Sequence, residues 1–379
     1  MVQAWHDLGL AIDWNQDQNE LTIEGCSGKL PNLKGDIFVA NSGTTIRFLT
    51  AALAACHGEF TFDGVPRMRE RPIEDLLLGL QQLGADVTST NESKPNCPPV
   101  RLIANGLRGG TAKVAGNVSS QFLSGLMMAA PYAQSPVHLI VEGELVSKPY
   151  VEMTAAVMQS FGCSVEQTTT SEYQIKAPQT YKGCEYSIEP DASAASYFFA
   201  AAAITGGRAR VVGLNQNALQ GDVGFVEVLK KMGSTVEYGR DWIEVTGRAR
   251  RGIDVDMNAV SDTVQTLAAV ALFAEGPTRI RGVAHNRHKE TDRIGDLATE
   301  LRKLGALVVE FEDGLDISPA PLRPATLETY HDHRMAMSLS LVGLKQEGVW
   351  ILNPRCTEKT YPKYFEDMAS FVGKAAIYG

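Results

Sequence analysis

The stretch Arg287-His288-Lys289-Glu290-Thr291-Asp292-Arg293 places six ionisable residues among seven. It follows an apolar run, Thr278–Val283, that predicts a strand, and it precedes apolar residues that recur at helical spacing. Those residues are Ile294, Leu297, Ala298, Leu301 and Leu304. Charges of both signs at a strand-to-helix turn can hold acids and bases at shifted pKa values near an anion. A solvated, salt-bridged loop is the alternative interpretation, and the stretch alone does not separate the two.

The composition predicts a soluble protein of two globular domains. With 379 residues, 44% of them hydrophobic, the chain is long enough for about two domains with sizeable cores. No run approaches the roughly 18 uninterrupted apolar residues of a membrane span, and Met1–Asp7 lacks the basic start of a secretory signal. A net charge of -9 argues against a nucleic-acid partner, whereas small anionic ligands remain possible because a few arginines can set the field of a cleft.

The cysteines and histidines indicate neither a disulfide framework nor a metal site. The six cysteines are scattered without a CxxC pair, which fits reduced thiols in a cytoplasmic or plastid-like compartment. His331-Asp332-His333 could contribute metal ligands, but no second ligand cluster accompanies it, so we expect no metal.

A repeated pattern runs along the chain: an amphipathic helix, a glycine and then a strand-like run. Each glycine stands where a left-handed residue follows the end of a helix. Successive copies are about 70 to 80 residues apart, which predicts a repeated α/β subdomain. The six glycines are Gly9, Gly84, Gly162, Gly233, Gly305 and Gly373.

Six copies predict two domains of three subdomains each. We expect residues 1–188 to form the first domain and residues 189–379 the second, with the boundary near Ser187–Asp191. The first glycine has few residues before it. By the same interval, about 50 to 60 residues are expected ahead of Met1, and the first subdomain should be incomplete.

Several predicted helices begin with small polar residues, a pattern typical of anion sites. Free backbone N–H groups and the helix dipole both favour negative charge there, although an ordinary N-cap explains any single case equally well. These starts are Asn41–Thr45, Asn117–Gln121, Asp191–Ser196 and Ser261–Thr266. We interpret Asp191 as mainly structural, and on local grounds Asp262 is also most simply a cap.

Cations accompany these helix starts. Three arginines at i, i+2 and i+4 from Arg67 stand between Pro66 and Pro72, which suits either bidentate capture of an anion or a solvated surface. Arg334 lies in the first turn of a predicted helix that is apolar nearly all round, where an arginine is costly unless an anion meets it. Lys359 falls on a predicted loop. Together these cations predict small, multiply anionic ligands such as phosphate and carboxylate esters.

These motifs resemble one family closely, the 5-enolpyruvylshikimate-3-phosphate (EPSP) synthases. The matching strings follow the family's order across essentially the whole chain, so the resemblance is specific. They are Asn41–Arg47, Pro66–Ile73, Ser119–Gln121, Leu145–Tyr150, Lys289–Arg293, Asp332–Met337 and Lys359–Thr360.

The resemblance implies an α/β (α+β) chain with the two-domain enolpyruvyl transferase fold, each domain built of three βαβαββ-type subdomains. It implies transfer of the enolpyruvyl group of phosphoenolpyruvate to the 5-hydroxyl of shikimate 3-phosphate, with release of phosphate, in the shikimate pathway. The expected enzyme is a cytoplasmic monomer without cofactor, metal, membrane or nucleic-acid partner. Two alternatives stay open. One is a catalytically silent remnant that binds shikimate 3-phosphate. The other is UDP-N-acetylglucosamine enolpyruvyl transferase, which lacks the strings found here at Lys289–Arg293 and Asp332–Met337.

By similarity, three residues are catalytic: Asp262 as the base on the 5-hydroxyl, Glu290 as the proton donor to the methylene carbon, and Lys359. The residues implied to bind shikimate 3-phosphate are Ser119, Ser120, Gln121, Ser147, Tyr150, Asp262, His285 and Lys289. Those implied to bind phosphoenolpyruvate are Gly43, Arg67, Gln121, Arg293, Arg334 and Lys359.

The chain departs from the family pattern at two places. The family's opening Pro-Gly-Ser-Lys-Ser segment, which supplies a lysine, a serine and an arginine, is absent. The asparagine expected four residues before Lys289 is His285 here, with Asn286 beside it. Gly43 implies room close to phosphoenolpyruvate and therefore inhibition by glyphosate, although Phe48 stands where relatives often carry proline.

Overall fold

The computed structural model describes residues 1–373, and the chain forms two compact units, Met1–Ser187 and Ile188–Gly379. Each unit has its own hydrophobic core, in which helices bury apolar faces against small mixed sheets.

The strands of the first unit are β1 (Ile12–Asn15), β2 (Glu20–Ile23), β3 (Lys34–Phe38), β4 (His57–Asp63), β5 (Asp86–Ser89), β6 (Val100–Asn105), β7 (Gly110–Ala115), β8 (Val137–Glu142), β9 (Val165–Thr169) and β10 (Glu172–Ile175). Its helices are α1 (Val2–Asp7), α2 (Gly43–Ala54), α3 (Glu74–Gln82), α4 (Ser120–Ala129) and α5 (Lys148–Ser160). A short 3-10 helix covers Met68–Glu70.

The strands of the second unit are β11 (Arg208–Val212), β12 (Thr235–Tyr238), β13 (Trp242–Thr246), β14 (Asp254–Asp256), β15 (Thr278–Arg281), β16 (Leu307–Phe311), β17 (Gly314–Ser318), β18 (Ala325–Leu327) and β19 (Val349–Ile351). Its helices are α6 (Ala192–Thr205), α7 (Phe225–Lys231), α8 (Val264–Ala271), α9 (Gly295–Lys303), α10 (His333–Ser340) and α11 (Tyr364–Val372). The 3-10 helices that matter below are Asn258–Thr263, Ala284–His288 and Pro354–Lys359.

Three four-stranded sheets share one strand order. These are β3-β4-β6-β5, β7-β8-β10-β9 and β14-β15-β17-β16. In each, two parallel strands joined through a helix are followed by an antiparallel hairpin. The remaining sheets, β11-β13-β12, β18-β19 and β1-β2, each show part of the same order. The repeated pattern of the sequence is therefore a repeated sheet topology.

The six repeat glycines all lie at helix ends with φ between 66° and 113°, which confirms the prediction of left-handed residues there. A second contact accompanies five of them. The carbonyl of the residue just before the glycine, which is the C-cap of the helix, accepts a hydrogen bond of 2.8–3.1 Å from a backbone N–H that lies beyond the following hairpin. The acceptor and donor residues are Leu8 and Asn32, Leu83 and Arg108, Phe161 and Lys182, Met232 and Arg250, and Leu304 and Arg323. Four of the five residues that donate these backbone N–H groups have basic side chains, and positive charge is favourable near the C-terminal end of a helix.

Helices that are apolar nearly all round fill the two cores. Helix α6 is buried along most of its length, and Asp191 is its N-cap, as the sequence predicted. In the first unit α2 and α4 pack closely, since a methyl on Gly125 would lie 3.3 Å from the Ala51 side chain. Among residues 1–373, no helix combines the length and apolar character needed to cross a membrane.

Candidate active site

In the second unit, four segments bring three carboxylates and four cations together. Asp262 comes from the 3-10 helix before α8, the stretch 289–293 precedes α9, residues 332–334 begin α10, and Lys359 ends the 3-10 helix before α11. The members of this charged cluster are Asp262, Lys289, Glu290, Arg293, Asp332, Arg334 and Lys359. The arrangement gathers every second-unit residue that the resemblance implied, with His285 alongside.

Arg293 lies at the centre of the charged cluster and is 1% exposed. Its guanidinium donates to both carboxylate oxygens of Asp332, at 2.7 and 3.2 Å, and to Glu290 Oε2 at 2.8 Å. A fourth bond reaches Asp262 Oδ1 at 3.1 Å. Burial alone would lower the pKa of Arg293, but the surrounding carboxylates raise it, so the guanidinium stays charged.

Asp262 is held by three cations. Arg334 donates to Oδ2 at 2.8 Å, and Lys289 Nζ lies 3.7 Å from Oδ1, beside the bond from Arg293. Burial raises the pKa of Asp262, but Arg334, Lys289 and Arg293 outweigh it and hold the pKa well below its ordinary value. The cap interpretation of Asp262 was wrong: α8 begins at Val264 with Thr263 as its N-cap and no side-chain cap bond, and the Asp262 carboxylate is bound by these cations instead.

Glu290 bridges the two ends of the cluster. It accepts from Lys359 Nζ at 2.5 Å on one oxygen and from Arg293 on the other. Lys359 is the last residue of a 3-10 helix and not part of a plain loop, because Pro354 starts a tight turn there. A carboxylate and an ammonium in direct contact can act as a proton donor and an anion-binding group on one substrate.

The stretch 287–293 divides into an inner and an outer half. Arg287 points to the outer side, where NH1 donates to Asp292 Oδ2 at 2.8 Å and to Glu310 Oε1 at 3.0 Å. Lys289, Glu290 and Arg293 join the charged cluster. The outer half of the stretch is therefore a salt-bridged loop, and the inner half belongs to the charged cluster.

His285 is buried beside Lys289, and burial together with that lysine lowers its pKa to about 3, so the imidazole is neutral. Asn286 is buried as well, and its side-chain amide donates to the Ser261 carbonyl at 2.9 Å. The asparagine thus holds the backbone next to Asp262.

In the first unit, the starts of α2 and α4 are joined by side chains. Arg47 donates to Gln121 Oε1 at 2.8 Å and to Ser119 Oγ at 3.3 Å. Gln121 Nε2 in turn donates to Thr44 Oγ1 at 3.0 Å. Ser42 and Ser119 are the N-caps of the two helices. The polar helix starts predicted from the sequence thus meet, and a buried cation lies between them.

The remaining first-unit residues take varied positions. Ser120 is buried in the first turn of α4, and Ser147 is buried at the start of α5 with φ of 52°. The Ser147 carbonyl accepts the backbone N–H of Tyr150 at 3.1 Å, one turn into that helix.

The three alternating arginines have three different partners. Arg67 pairs with Glu70 at 3.2 Å. Arg69 is exposed and donates two hydrogen bonds to the Asp63 carboxylate, at 2.5 and 2.9 Å. Arg71 is buried and bonds to Asn41. The segment is therefore neither a single anion clamp nor simply a solvated surface.

Two residues were not assigned a role from the sequence. Arg47 organises the start of α4, and Asp332 holds Arg293 while also capping α10 through the Arg334 N–H at 2.8 Å. The signal for Arg47 was a charge one turn into an apolar helix, which needs a buried partner.

Comparison with known proteins shows the family to which the chain belongs. The model of the EPSP synthase (3-phosphoshikimate 1-carboxyvinyltransferase) family matches residues 1–368. The 3-phosphoshikimate 1-carboxyvinyltransferase of Nostoc punctiforme is 49% identical over 96% of this chain and 85% of its own. The chloroplastic enzyme of Brassica napus is 48% identical over 98% of this chain and 75% of its own.

Solved structures show the same fold. An EPSP synthase from Acinetobacter baumannii superposes with a TM-score of 0.76 at 26% identity, covering 97% of this chain and 86% of that one. The enolpyruvyl transferase NikO from Streptomyces tendae gives 0.75 at 19% identity, covering 97% and 85%, and supports the fold alone. The chain has the enolpyruvyl transferase fold, belongs to the EPSP synthase family and has the EPSP synthase activity of the shikimate pathway.

Proposed function

We propose that the charged cluster performs the proton transfers of the EPSP synthase reaction, with Asp262 as base and Glu290 as acid. The observation that supports this most is the pairing of two carboxylates with different environments around Arg293: Asp262 faces Arg334 and Lys289, whereas Glu290 faces Lys359. Two carboxyl groups in unlike surroundings are suited to opposite roles.

In the addition step, Asp262 removes the proton of the 5-hydroxyl as its oxygen attacks the central carbon of phosphoenolpyruvate. Glu290 protonates the methylene carbon, which becomes a methyl group, and a tetrahedral phosphate ketal forms. In the elimination step these transfers reverse: Glu290 takes a proton from that methyl group, and phosphate departs with the proton that Asp262 had removed. Shikimate 3-phosphate and phosphoenolpyruvate thus yield EPSP and phosphate. Fixed cations stabilise the negative charge throughout.

The residues proposed to bind each substrate are those that the family resemblance implies. For shikimate 3-phosphate they are Ser119, Ser120, Gln121, Ser147, Tyr150, Asp262, His285 and Lys289. For phosphoenolpyruvate they are Gly43, Arg67, Gln121, Arg293, Arg334 and Lys359. Their support is the clustering of hydroxyl, amide and cationic groups within each unit.

We further propose that the two units are the two enolpyruvyl transferase domains, each made of three βαβαββ-type subdomains. The shared strand order of the three four-stranded sheets supports this division. We expect a cytoplasmic monomer, in keeping with six free cysteines within the described residues. Sedimentation at several protein concentrations tests the monomer.

Asp262→Asn and Glu290→Gln test the two roles. We expect each to lower kcat by about 10²–10⁴-fold, because each removes one proton transfer. Asp292→Asn is the matched control, since Asp292 pairs with the outward Arg287; its kcat should stay within about threefold of the unsubstituted chain.

A second readout separates acid from base. In deuterated water the methylene group of EPSP should gain deuterium, because the intermediate methyl group carries a solvent-derived hydrogen. Glu290→Gln should slow this incorporation. Equal incorporation by Glu290→Gln and the unsubstituted chain would overturn the role of Glu290.

A further inference from the structure

Arg71 is a buried arginine whose guanidinium lies against a turn of the first unit. It is 3% exposed, and NH1 donates to the Asn41 carbonyl at 3.0 Å and to Asn41 Oδ1 at 3.2 Å. One nitrogen thus fixes both the backbone and the side chain of the residue two positions before Gly43. Desolvating a guanidinium is costly, so a burial this complete calls for a reason.

Gly43 is in direct contact with the same guanidinium. A methyl group built on Gly43 would lie 2.4 Å from Arg71 NH2 and 2.9 Å from its Cζ. These separations are far below van der Waals contact. Arg71 therefore occupies the space that any side chain at position 43 would need.

The turn that Arg71 contacts is strained. Ala40 has φ of 50°, a left-handed conformation that costs a non-glycine residue roughly 1–2 kcal/mol. The Ala40 carbonyl accepts the backbone N–H of Val65 at 3.1 Å. Strain of this kind persists only where the surroundings hold it, and it concentrates at functional sites.

Both groups that hold the turn come from the segment containing Arg67. Val65 precedes Arg67 by two residues and Arg71 follows it by four. The segment 65–71 therefore holds the turn 40–43 through hydrogen bonds at two points, and we call this pair of contacts the grip on the turn. Gly43 and Arg67 are the first-unit residues proposed to bind only phosphoenolpyruvate. Their spacing therefore depends on this grip.

We propose that Arg71 is a positioning residue that fixes the turn Ala40–Gly43, and with it the spacing between Gly43 and Arg67, for phosphoenolpyruvate binding. The inference rests on the proposed roles of Gly43 and Arg67. We expect that lysine does not replace it fully, because the guanidinium both bonds to Asn41 and fills the space beside Gly43, and a single ammonium lacks that planar group. Arg71 acts through Gly43 and Arg67 and leaves the proton transfers to other groups.

Arg71→Lys tests the positioning role directly. We expect the KM for phosphoenolpyruvate to rise about tenfold, because a displacement of 1 Å can cost up to about 10²-fold. The KM for shikimate 3-phosphate and the Tm should change little. Arg69→Ala is the matched control, since Arg69 is half-exposed and pairs with Asp63; its KM values should not change. An unchanged KM for phosphoenolpyruvate in Arg71→Lys would contradict the role.

A double-mutant cycle with Gly43→Ala tests the contact itself. In the Arg71 background the added methyl displaces the guanidinium, and we expect the KM for phosphoenolpyruvate to rise about tenfold or more. In an Arg71→Ala background the space is open, and the same methyl should cost less than about threefold. If Arg71→Ala does not fold, as circular dichroism and shikimate 3-phosphate binding would show, Arg71→Lys carries the cycle.

Two results would overturn the inference in different ways. If the two substitutions are additive, Gly43 and Arg71 act independently and the positioning role fails, while the proposed binding sets stand. If Gly43→Ala leaves the KM for phosphoenolpyruvate unchanged in the Arg71 background, the assignment of Gly43 fails and the inference falls with it.

Discussion

Asp262 lies in surroundings that lower its pKa, although its proposed role is that of a general base. Three cations hold its pKa well below the ordinary value, which makes the carboxylate stable but weakly basic. We propose that substrate phosphate and carboxylate groups compete for Arg334 and Lys289. As the substrates take up those charges, we expect the pKa of Asp262 to rise toward the range that a general base needs. On this proposal, substrate binding prepares the base.

Two buried histidines make the stability of the second unit sensitive to acid. Burial lowers the pKa of His285 and of His333 to about 3, whereas each titrates near 6.5 when exposed. Between these values the unfolded chain binds more protons than the folded chain. The stabilisation is therefore complete above pH 6.5, declines as the pH falls and is gone below pH 3.

We expect the free energy of unfolding to fall by about 3 kcal/mol between pH 7 and pH 5.5, because each of the two histidines costs about 1.4 kcal/mol per pH unit below pH 6.5. His285→Asn, which removes one of the two groups, should halve that loss. Urea unfolding at both pH values measures it. A loss of the same size in His285→Asn would show that His285 is protonated in the folded chain.

At the scale of elements, helix starts were predictable from sequence but their partners were not. The N-caps at Ser42, Ser119 and Asp191 follow from local chemistry, and the structure has them. The local sequence around Asp262 resembles that around these N-caps, but the Asp262 carboxylate is bound by Lys289, Arg293 and Arg334. Contacts between distant segments decide such cases, and a single sequence does not reveal them.

Asp332 caps α10 and also pairs with Arg293, whereas Asp191 caps α6. Comparing substitutions of these two residues therefore distinguishes the effect of capping from the effect of ion pairing. Asparagine caps as well as aspartate does. Asp332→Asn should therefore keep its cap but lose about 3 kcal/mol through the broken buried pair. Asp191→Asn should change the free energy of unfolding by less than about 0.5 kcal/mol. Equal losses in urea unfolding would mean that the pairing with Arg293 contributes little.

At the scale of the molecule, the six-fold pattern of glycines predicted the repeat of sheets, because each glycine ends a helix with a left-handed residue. The family strings located the charged cluster. The grip of Arg71 on the turn at Gly43 could not be predicted, since three alternating arginines look equivalent in sequence. Only packing distinguishes the buried Arg71 from the half-exposed Arg69.

One face of the β1–β2 hairpin carries exposed apolar side chains. Trp14 and Leu21 are cross-strand partners, 57% and 44% exposed, and Ile23 on the same face is 51% exposed. Contiguous apolar patches favour association. We expect Trp14→Thr with Ile23→Thr to reduce light scattering in concentrated solution without changing kcat. Val212→Thr, at a position 63% exposed in the second unit, is the control and should have no effect.

The most direct test of the central claim is phosphate release by the 379-residue chain given shikimate 3-phosphate and phosphoenolpyruvate. Release should require both substrates and should fall below about one hundredth in Asp262→Asn and in Glu290→Gln. Full release by either variant would contradict the proposal that the charged cluster carries out the chemistry.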